Sequence, residues 1–370
     1  MVEKILHSFE AGRRGKPDEL DSTIAHSIGA HFLEKDPYSR FDIRFEGGAN
    51  NGSLWTHVSG EVSEHLLTEN YQEEISQIIL DRYNLITKED LLSIDTKISF
   101  TPQSSALATN ISSGDMGVSF AVAYGGTPNS LPVERFLAVK IRDEIDKLFE
   151  TDIGLRSDGK ICVDALYEKE KLIDIPDITI AINHTTELSL LDLSSKTKDI
   201  VDSCLNEVGK YNPSVSINGI GEWTDIGGWY VDRGSREAKP PRDGFGSYGM
   251  VEDSFSGEDP TKPGATATFL ARYIAVQLVH NDLAKFARVG LKYNIGDTQP
   301  RIVNIFTNGT SQYSQTELNE IVNKNIGNLS IGATIERFNL RDPQLYKQIV
   351  TGSDFFQDKN LPWNKKIKFR

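Results

Sequence analysis

The chain has 370 residues, of which 38% are hydrophobic and 25% charged, which is typical of a soluble globular protein of two or three domains. Its formal net charge of −13 disfavours nucleic acid and anionic membranes as general partners. No apolar run approaches the ~20 residues of a membrane span, and the N-terminus lacks a signal-peptide core, so we expect a cytoplasmic protein. Its two cysteines, Cys162 and Cys204, are too few for a disulfide framework or a zinc knuckle.

The spacing of apolar residues predicts the elements of secondary structure. In chain order these are a helix at 18–35, strands at 40–45 and 54–62, a helix at 71–83, a strand at 177–183, helices at 198–208 and 265–280, and strands at 287–295 and 301–307. Helices do not separate every pair of strands. The pattern therefore favours an α+β fold with antiparallel or mixed sheets over a doubly wound parallel sheet.

A polar loop at Ser256–Gly264 opens directly onto the helix predicted at 265–280. Free backbone N–H groups and the helix dipole collect anions in such a place. The loop nevertheless carries Glu258 and Asp259 against Lys262. Either it meets its anion through a metal, or it is altered from a loop that held more positive charge. The weakly periodic, Gly-rich segment before it is long enough to suggest a function.

Three further polar segments could carry chemistry, at Gly15–Glu19, Ser112–Gly117 and Ser157–Val163. In the first, Pro17 fits a first helical turn and Asp18 suits a cap or a metal. In the third, Asp-Gly predicts a hairpin turn after which Lys160 begins a strand. A plain helix start, a tight turn and an exposed lysine are the simpler interpretations. The chain has no Walker, GxGxxG or HExxH motif.

Taken in order, these segments resemble the S-adenosylmethionine synthetase (methionine adenosyltransferase) family, from Glu10 to Trp363. The strongest matches are Phe255–Lys262, Ala271–Ala275 and Tyr293–Gly296, which are similar to the family's FSGKDPxK, AARYxAK and YAIGxAxP. Weaker matches, to GHPD, GGEI, QSPDI, GDQG, DxKxQV, IGGP and FPWE, lie at Gly15–Asp18, Gly60-Glu61, Gln103-Ser104, Gly114–Gly117, Asp158–Lys160, Ile226–Gly228 and Leu361–Trp363.

The resemblance implies three similar α+β domains related by pseudo-threefold symmetry, with mixed or antiparallel sheets. We assign residues 1–14 and 126–228 to an N-terminal domain, 15–103 and 257–370 to a central domain, and 104–125 and 229–256 to a third domain that carries the Gly-rich loop. It also implies a homodimer, or a dimer of dimers, with active sites between subunits.

The family's reaction joins ATP to L-methionine. The thioether sulfur attacks the ribose 5′ carbon, and the tripolyphosphate that leaves is hydrolysed to phosphate and pyrophosphate. The resemblance implies Mg²⁺ (or Mn²⁺) and K⁺ as cofactors. It assigns catalytic roles to Lys16, Lys160 and Lys262, ATP or phosphate binding to Trp223, Asp232, Arg236, Lys239 and Glu258, methionine binding to Glu61, Gln103, Asp115 and Ile295, and metal binding to Glu10 and Asp18.

The chain departs from the family's pattern at charged positions. Lys16 stands where the family has a histidine, Glu258 where it has a phosphate-binding lysine, and Gly264 where it has a second metal-binding aspartate. Arg44 falls on the position of the K⁺-linked glutamate, which leaves a K⁺ requirement open. We expect Lys16 and Glu258 to compensate each other as a pair, so that Glu258→Lys alone does not raise activity.

These departures leave three hypotheses for the function. The first is a divergent, active methionine adenosyltransferase. The second is an enzyme on the same scaffold with another nucleotide or thioether substrate. The third is a non-catalytic binding or regulatory relative that pairs with an active synthetase.

Overall fold

A computed structural model describes residues 4–104, 112–152, 154–231, 239–249, 251, 256–348 and 354–370. Its elements are β1 (Lys4–Gly12), α1 (Pro17–Lys35), β2 (Phe41–Asn50), β3 (Ser53–Val62), α2 (Tyr71–Thr87), β4 (Asp95–Pro102), β5 (Gly117–Tyr124), α3 (Val133–Phe149), β6 (Leu155–Glu168), β7 (Lys171–His184), α4 (Leu190–Leu205), β8 (Ser214–Ile217), α5 (Pro240–Asp243), α6 (Pro263–His280), β9 (Phe286–Tyr293), β10 (Arg301–Phe306), α7 (Gln315–Ile326), α8 (Ile331–Phe338), α9 (Pro343–Gln348) and α10 (Asp354–Gln357).

One order of elements recurs three times and builds three sheets. Each unit has a helix, an antiparallel pair of strands and a second helix: α1 to α2, α3 to α4, and α6 to α7. In the first two units another strand, β4 or β8, then pairs parallel with the second strand. The sheet orders are β2-β3-β4, β1-β6-β7-β8 and β5-β9-β10. The predicted α+β fold with three similar units is confirmed.

The first strand of each unit also receives a partner from elsewhere in the chain. β1 pairs antiparallel with β6, and β5 pairs antiparallel with β9. On β2 the partner is the loop before α6, where Asp42 bridges Glu258 and the N–H of Ile43 donates to the carbonyl of Gly257 at 2.8 Å. The pseudo-threefold relation therefore extends to these added strands.

The predicted domain boundaries stay a prediction, although the strand pairing bears on them. β5 lies in the segment 104–125 and β9 in the segment 257–370, and the two share one sheet. β1 joins the sheet of β6, β7 and β8, as the assignment of 1–14 together with 126–228 expects.

Helix α6 is buried on all sides, from Pro263 to Val279, because most of its residues are apolar or small around the whole circumference and its buried polar side chains have hydrogen-bond partners. Its buried Arg272 hydrogen-bonds the carbonyls of Val122 and Ser130 and, through Nε, the side-chain oxygen of Asn364 at 2.9 Å. Trp363 stacks on Phe269 with ring centroids 3.9 Å apart. These contacts give a structural role to two of the family-like motifs.

The predicted helices and strands correspond to elements of the structure, with two corrections. The helix predicted at 198–208 is α4, which begins earlier and ends at Leu205. The predicted hairpin turn at Asp158-Gly159 is wrong, because β6 runs through it with a register shift that leaves Gly159 at φ 154°. A Cβ at residue 159 would lie 2.6 Å from the carbonyl oxygen of Ala181, so this bulge requires glycine.

Among the helices in the described residues, none is both long enough and apolar enough to cross a membrane.

Candidate active site

Lys16 and Lys262 occupy equivalent places at the starts of α1 and α6. Their backbone angles are nearly the same, φ −65° and ψ 140° for Lys16 and φ −70° and ψ 130° for Lys262. Each is followed by a proline, Pro17 or Pro263, whose fixed φ suits the first turn of a helix and whose missing N–H costs nothing there. Repetition of one unit therefore places two predicted catalytic lysines at two related helix starts.

Four residues, which we call the Lys16 cluster, meet at the start of α1: Lys16, Asp18, Lys239 and Arg242. One oxygen of Asp18 lies 3.7 Å from Nζ of Lys16, and the other lies 3.2 Å from Nζ of Lys239 and hydrogen-bonds Arg242. Asp18 is 6% exposed. Three of the four had been predicted as site residues, and the structure brings them together.

The charges of the Lys16 cluster determine the ionisation of its acids. Burial would raise the pKa of Asp18, but Arg242, Lys16 and Lys239 lower it, and the net pKa lies below the ordinary value. The neighbouring Glu19 is fully buried, and burial raises its pKa to about 8 although Nε of Arg242 lies 3.0 Å from its carboxylate. Asp18 is therefore the carboxylate that stays ionised at neutral pH.

Sequence reasoning missed Arg242 and gave no role to Glu19. Arg242 is 4% exposed and also pairs with Asp243 at 2.9 Å. Its acidic partners Asp18 and Glu19 lie more than 200 residues away in the chain, so no local spacing connects them. The available signal was the pair Pro240-Pro241, which begins a short helix directly before the arginine.

The predicted Lys160 lies near the beginning of β6, next to the start of α1. Lys160 pairs with Glu10 on β1, with Nζ and Oε1 3.0 Å apart and both side chains more than a third exposed. The buried Asp158 accepts the backbone N–H of Gly228 at 2.8 Å. The charge of Lys16 opposes the effect of burial on the pKa of Asp158, which places this lysine near the same end of β6.

Trp223 lies beside this group. Its backbone carbonyl accepts the N–H of His184 and Nδ2 of Asn183, both at 3.0 Å. Asn183 also holds the carbonyl of Asp225, and its amide oxygen borders Gly227. The half-buried tryptophan is thus fixed by the end of β7, next to the segment that binds Asp158.

A second group surrounds Lys262, whose side chain is 10% exposed. Its Nζ lies 2.9 Å from Asp42 and 3.7 Å from Asp115. Burial would lower the pKa of Lys262, but the carboxylates of Asp42, Asp259 and Glu258 raise it above the ordinary value. The lysine is therefore held protonated in acidic surroundings.

Glu258 lies over the start of α6. Its Oε2 accepts the backbone N–H of Ala265 at 3.0 Å. A Cβ added at Gly264 would lie 2.7 Å from the same oxygen. The carboxylate thus uses the space that a side chain at residue 264 would need, and it satisfies one of the free N–H groups of the helix. The predicted pairing of Lys16 with Glu258 stays a prediction.

The predicted methionine residues lie close to Lys262. Glu61 is directly opposite Asp42 in the β2–β3 pair. The backbone of Gln103 extends the same sheet, its N–H donating to the carbonyl of Val62 at 2.9 Å. Within the described residues, Oε1 of Gln103 is buried without a hydrogen-bond partner.

Two further residues complete this second group. The loop that carries Asp115 is bound to the loop that carries Ile295, through the N–H of Gly296 and the carbonyl of Ser113 at 3.0 Å. Ile295 is 54% exposed, which suits an apolar wall that a ligand would cover.

Asp232 and Arg236 fall outside the described residues. Arg44 is exposed on β2, and its replacement of K⁺ stays a prediction. The remaining predicted residues form two groups by their contacts. We name each group after the role predicted for most of its members, and the roles themselves stay predictions. The phosphate group contains Glu10, Lys16, Asp18, Lys160, Trp223 and Lys239, and the methionine group contains Glu61, Gln103, Asp115 and Ile295 together with Glu258 and Lys262, for which phosphate binding and catalysis are predicted.

Asp18 can contribute to a metal site but cannot form one alone. In the described parts of the chain, no three His, Cys, Asp or Glu residues come together as a metal-binding group. Oδ1 of Asp18 is buried and has no hydrogen-bond partner among the described residues. Mg²⁺ is commonly held by one or two carboxylates together with substrate phosphates. Asp18 fits that donor set, provided that a polyphosphate supplies the other oxygens.

The chain is similar to known proteins along nearly its whole length. Residues 226–365 match the model of the S-adenosylmethionine synthetase C-terminal domain. The S-adenosylmethionine synthase of Mycoplasmopsis pulmonis is 30% identical over 376 residues, which cover 98% of this chain and 97% of the relative. That of Aquifex aeolicus is 31% identical over 386 residues, with 98% and 97% covered. That of Prochlorococcus marinus is 28% identical over 406 residues, with the same coverage.

Proposed function

The chain belongs to the S-adenosylmethionine synthetase family, and we propose that it joins ATP to L-methionine, forming S-adenosylmethionine with release of phosphate and pyrophosphate. The observation that carries this proposal is the Lys16 cluster. It gathers three cations around one ionised carboxylate at a helix start. Such a place suits a polyphosphate chain.

The chemical step requires little proton transfer. An uncharged sulfur attacks carbon, and the negative charge that develops lies on the departing phosphate chain. The protein therefore has to align the sulfur with the bond that breaks and to stabilise that charge. Lys16, Lys160 and Lys239 are the groups proposed for the charge. In the absence of substrate Asp18 and Glu10 pair with them, which keeps the ammonium groups in position.

Arg242 has a positioning role in this proposal. It is bound by Asp18, Glu19 and Asp243 and is nearly fully buried, so it has no freedom to follow a substrate. It fixes the carboxylate of Asp18 instead. Asp18 would hold Mg²⁺ together with the phosphates, and the metal would neutralise part of the phosphate charge.

The methionine group supports the other end of the reaction. Glu61 and Asp115 offer carboxylates to an amino group, and Lys262 offers a cation to a carboxylate or to phosphate. Gln103 has an amide oxygen available, and Ile295 gives an exposed apolar surface for a thioether side chain. An amino acid with an apolar side chain suits this mixture of charges.

We further propose that the two groups face each other across a contact between two copies of the chain. Residues within each group are connected by ion pairs and strand pairing within one copy of the chain, between residues of different units. A homodimer with twofold symmetry would bring the phosphate group of one copy to the methionine group of the other, and would form two equal sites.

The test is analysis of products by mass spectrometry, with ATP, methionine, Mg²⁺ and K⁺. We expect S-adenosylmethionine, phosphate and pyrophosphate from the parent chain. Lys160→Ala removes a proposed phosphate contact and should reduce turnover at least ~100-fold, the scale of one oxyanion-stabilising group. Lys198→Ala is the matched control, since Lys198 is exposed on α4, and it should leave turnover unchanged. Folded parent protein that forms no product under any condition contradicts the proposal.

Glu258 favours one second candidate, a non-catalytic relative that binds an active synthetase. Its carboxylate lies beside the proposed phosphate-binding Lys262 and would repel an unshielded phosphate. The product analysis separates the two candidates. If the homo-oligomer forms S-adenosylmethionine and Lys160→Ala abolishes this turnover, the second candidate is eliminated. A screen of nucleotides and methionine analogues tests whether the enzyme uses another substrate pair. A clear preference for ATP and methionine would rule this out.

A further inference from the structure

A cavity of about 210 Å³ lies between the first two units. Helices α1, α2 and α3 line it, together with the beginning of β6 and the turn before α1. None of the residues proposed above for ATP, methionine or metal binding contributes to its lining. It is smaller than the roughly 300–1,000 Å³ of pockets for drug-sized ligands, so its occupant must be small.

Thr23 places a buried hydroxyl at this cavity. The residue lines the cavity and is 3% exposed. Among the described residues its Oγ1 has no hydrogen-bond partner. This hydroxyl is therefore available to hydrogen-bond an occupant of the cavity.

The cavity also has two guanidinium groups, from Arg14 and Arg82. Within the described part of the chain, Arg82 makes neither an ion pair nor a hydrogen bond. Arg14 lies 3.8 Å from carboxylate oxygens of Asp143 and of Asp146, and Asp146 also lines the cavity.

The two acids of the lining already have other partners. Asp146 pairs with Arg13 at 2.8 Å, and Glu150 pairs with Lys88 at 2.7 Å. Of the charged groups in the lining, Arg82 is the one that has no ion-pair partner among the described residues, so its side of the cavity is suited to an anion.

The rest of the wall is apolar. Leu85 and Ile86 follow Arg82 by three and four residues on α2, so the three side chains share one face of that helix. Phe149 of α3 contributes an aromatic ring. A ligand that fits the whole wall has an anionic head for the guanidinium groups and Thr23, and a short apolar body for the other side.

We propose that this cavity binds a small monocarboxylate with an aromatic or short aliphatic body. The carboxylate would meet the fork of Arg82 and the hydroxyl of Thr23, since guanidinium and carboxylate match in two parallel hydrogen bonds. The apolar body would contact Phe149, Leu85 and Ile86. This proposal does not depend on the proposed enzymatic function.

Isothermal titration calorimetry of the full chain tests it, with benzoate and butyrate as probes. Saturating ATP and methionine keep the probes from the proposed active site. We expect one binding site per chain. Arg82→Gln should weaken binding by about tenfold or more, the worth of a charge-assisted hydrogen bond. Thr23→Val should also weaken it, whereas Lys198→Gln, which removes an exposed cation on α4, should not.

Arg82→Lys and Thr23→Ser retain the charge and the hydroxyl, and circular dichroism checks that each variant is folded. Partial binding by these two variants supports the proposal. Absence of binding by both probes to the parent chain overturns it, and so does an unchanged affinity in Arg82→Gln. Binding of inorganic phosphate as tight as that of benzoate, with the same dependence on Arg82, overturns the assignment to a carboxylate.

Discussion

Glu258 places its carboxylate where a side chain at residue 264 would otherwise lie. The related helix starts explain why an acid belongs there. Asp18 is the second residue of α1 and Glu134 is the second residue of α3, whereas the second residue of α6 is Gly264. In the third unit the acid therefore reaches the helix start from six residues upstream. The space at the start of α6 holds only one carboxylate, so the effects of substitutions at residues 258 and 264 depend on each other.

This coupling predicts the behaviour of variants that restore the family's pattern. Glu258→Lys alone should not raise activity, because it removes the acid at the start of α6 without replacing it. Gly264→Asp alone should lower activity, because it brings two carboxylates within about 3 Å, where both cannot remain ionised. The double variant should exceed both single variants in the rate of S-adenosylmethionine formation.

The rate is measured by mass spectrometry with saturating ATP and methionine. The matched control is Glu258→Gln, which keeps the size of the side chain and removes its charge. A large gain in Glu258→Lys alone would refute both the coupling to residue 264 and the proposed pairing with Lys16.

The buried His26 leads us to expect that the protein becomes less stable as the pH falls. The ring is buried in α1, stacks on Tyr346 at 4.4 Å, and in the described structure neither nitrogen has a hydrogen-bond partner. Burial, with a smaller effect of Arg82, lowers its pKa to about 3. The unfolded chain takes up the proton near pH 6.5 and the folded chain does not. The contribution of neutral His26 to the free energy of unfolding is therefore complete above pH 6.5 and is lost as the pH falls towards 3.

Urea unfolding between pH 7 and 4 measures this effect. The parent should lose up to about 1.4 kcal/mol per pH unit from this one proton. His26→Phe keeps an aromatic ring for Tyr346 and should show a shallower slope, whereas the exposed His280→Gln should keep the parent's slope. Equal slopes for the parent and His26→Phe would show that His26 is not the group that titrates.

At the scale of an element, the start of α6 depends on residue 264 having no side chain. Replacement of glycine by alanine inside a helix usually stabilises it by roughly 0.5–1 kcal/mol. Here the added Cβ would displace Glu258 and break its hydrogen bond to Ala265. We expect Gly264→Ala to lower the free energy of unfolding by about 1 kcal/mol, the usual worth of a capping interaction.

A double-mutant cycle in urea provides the control. In the background of Glu258→Ala the carboxylate is gone, so Gly264→Ala should become neutral or stabilising. The sign of its effect should therefore depend on residue 258. The same loss of stability in both backgrounds would mean that the space above residue 264 is limited by something other than Glu258.

The elements themselves were predictable where apolar spacing was regular. The helices α1, α2 and α6 and the strands β2, β3, β7, β9 and β10 follow from their patterns, because apolar residues recur in each at regular spacing, although α1 buries polar residues such as Asp21 and His26 as well. Helix α3 was not predicted, because Glu134, Arg135, Arg142 and Asp146 are all buried in it and interrupt the apolar pattern. The strand β6 was misjudged at Asp158-Gly159, since a bulge and a turn use the same residue types.

Much of the candidate site followed from motifs that are local in the chain. Lys16, Asp18 and Lys262 precede or begin helices, so their positions at those helix starts follow from the sequence, whereas their contacts with Lys239, Asp42 and Asp115 do not. The roles of Arg242 and Glu258 did not follow. The pairs of Arg242 with Asp18 and Glu19 depend on contacts between segments more than 200 residues apart, and the contact of Glu258 with Ala265 depends on the path of the loop before α6. A single sequence contains neither.

At the scale of the whole molecule, the two groups of the candidate site predict complementation between inactive variants. Lys16→Ala damages the phosphate group and Lys262→Ala damages the methionine group. If each site combines one group from each copy, a mixed dimer has one intact site of its two. Random mixing should then restore about a quarter of the parent's activity, since half of the dimers are mixed.

The two variants are mixed after unfolding and refolding together, and S-adenosylmethionine is measured against refolded parent. The control mixes Lys16→Ala with Lys160→Ala, which both damage the phosphate group and should restore nothing. No recovery in either mixture would place both groups of a site within one copy and would contradict the shared site.

The exchange of strands between units has a consequence for the order in which the protein can fold during synthesis. β1 is synthesised before β6 and cannot pair until β6 has been made, and β5 waits in the same way for β9. The buried Arg272 gains its side-chain partner only when Asn364 arrives. Nascent chains therefore expose unpaired strand edges for most of translation, a period in which chaperones have the greatest opportunity to bind.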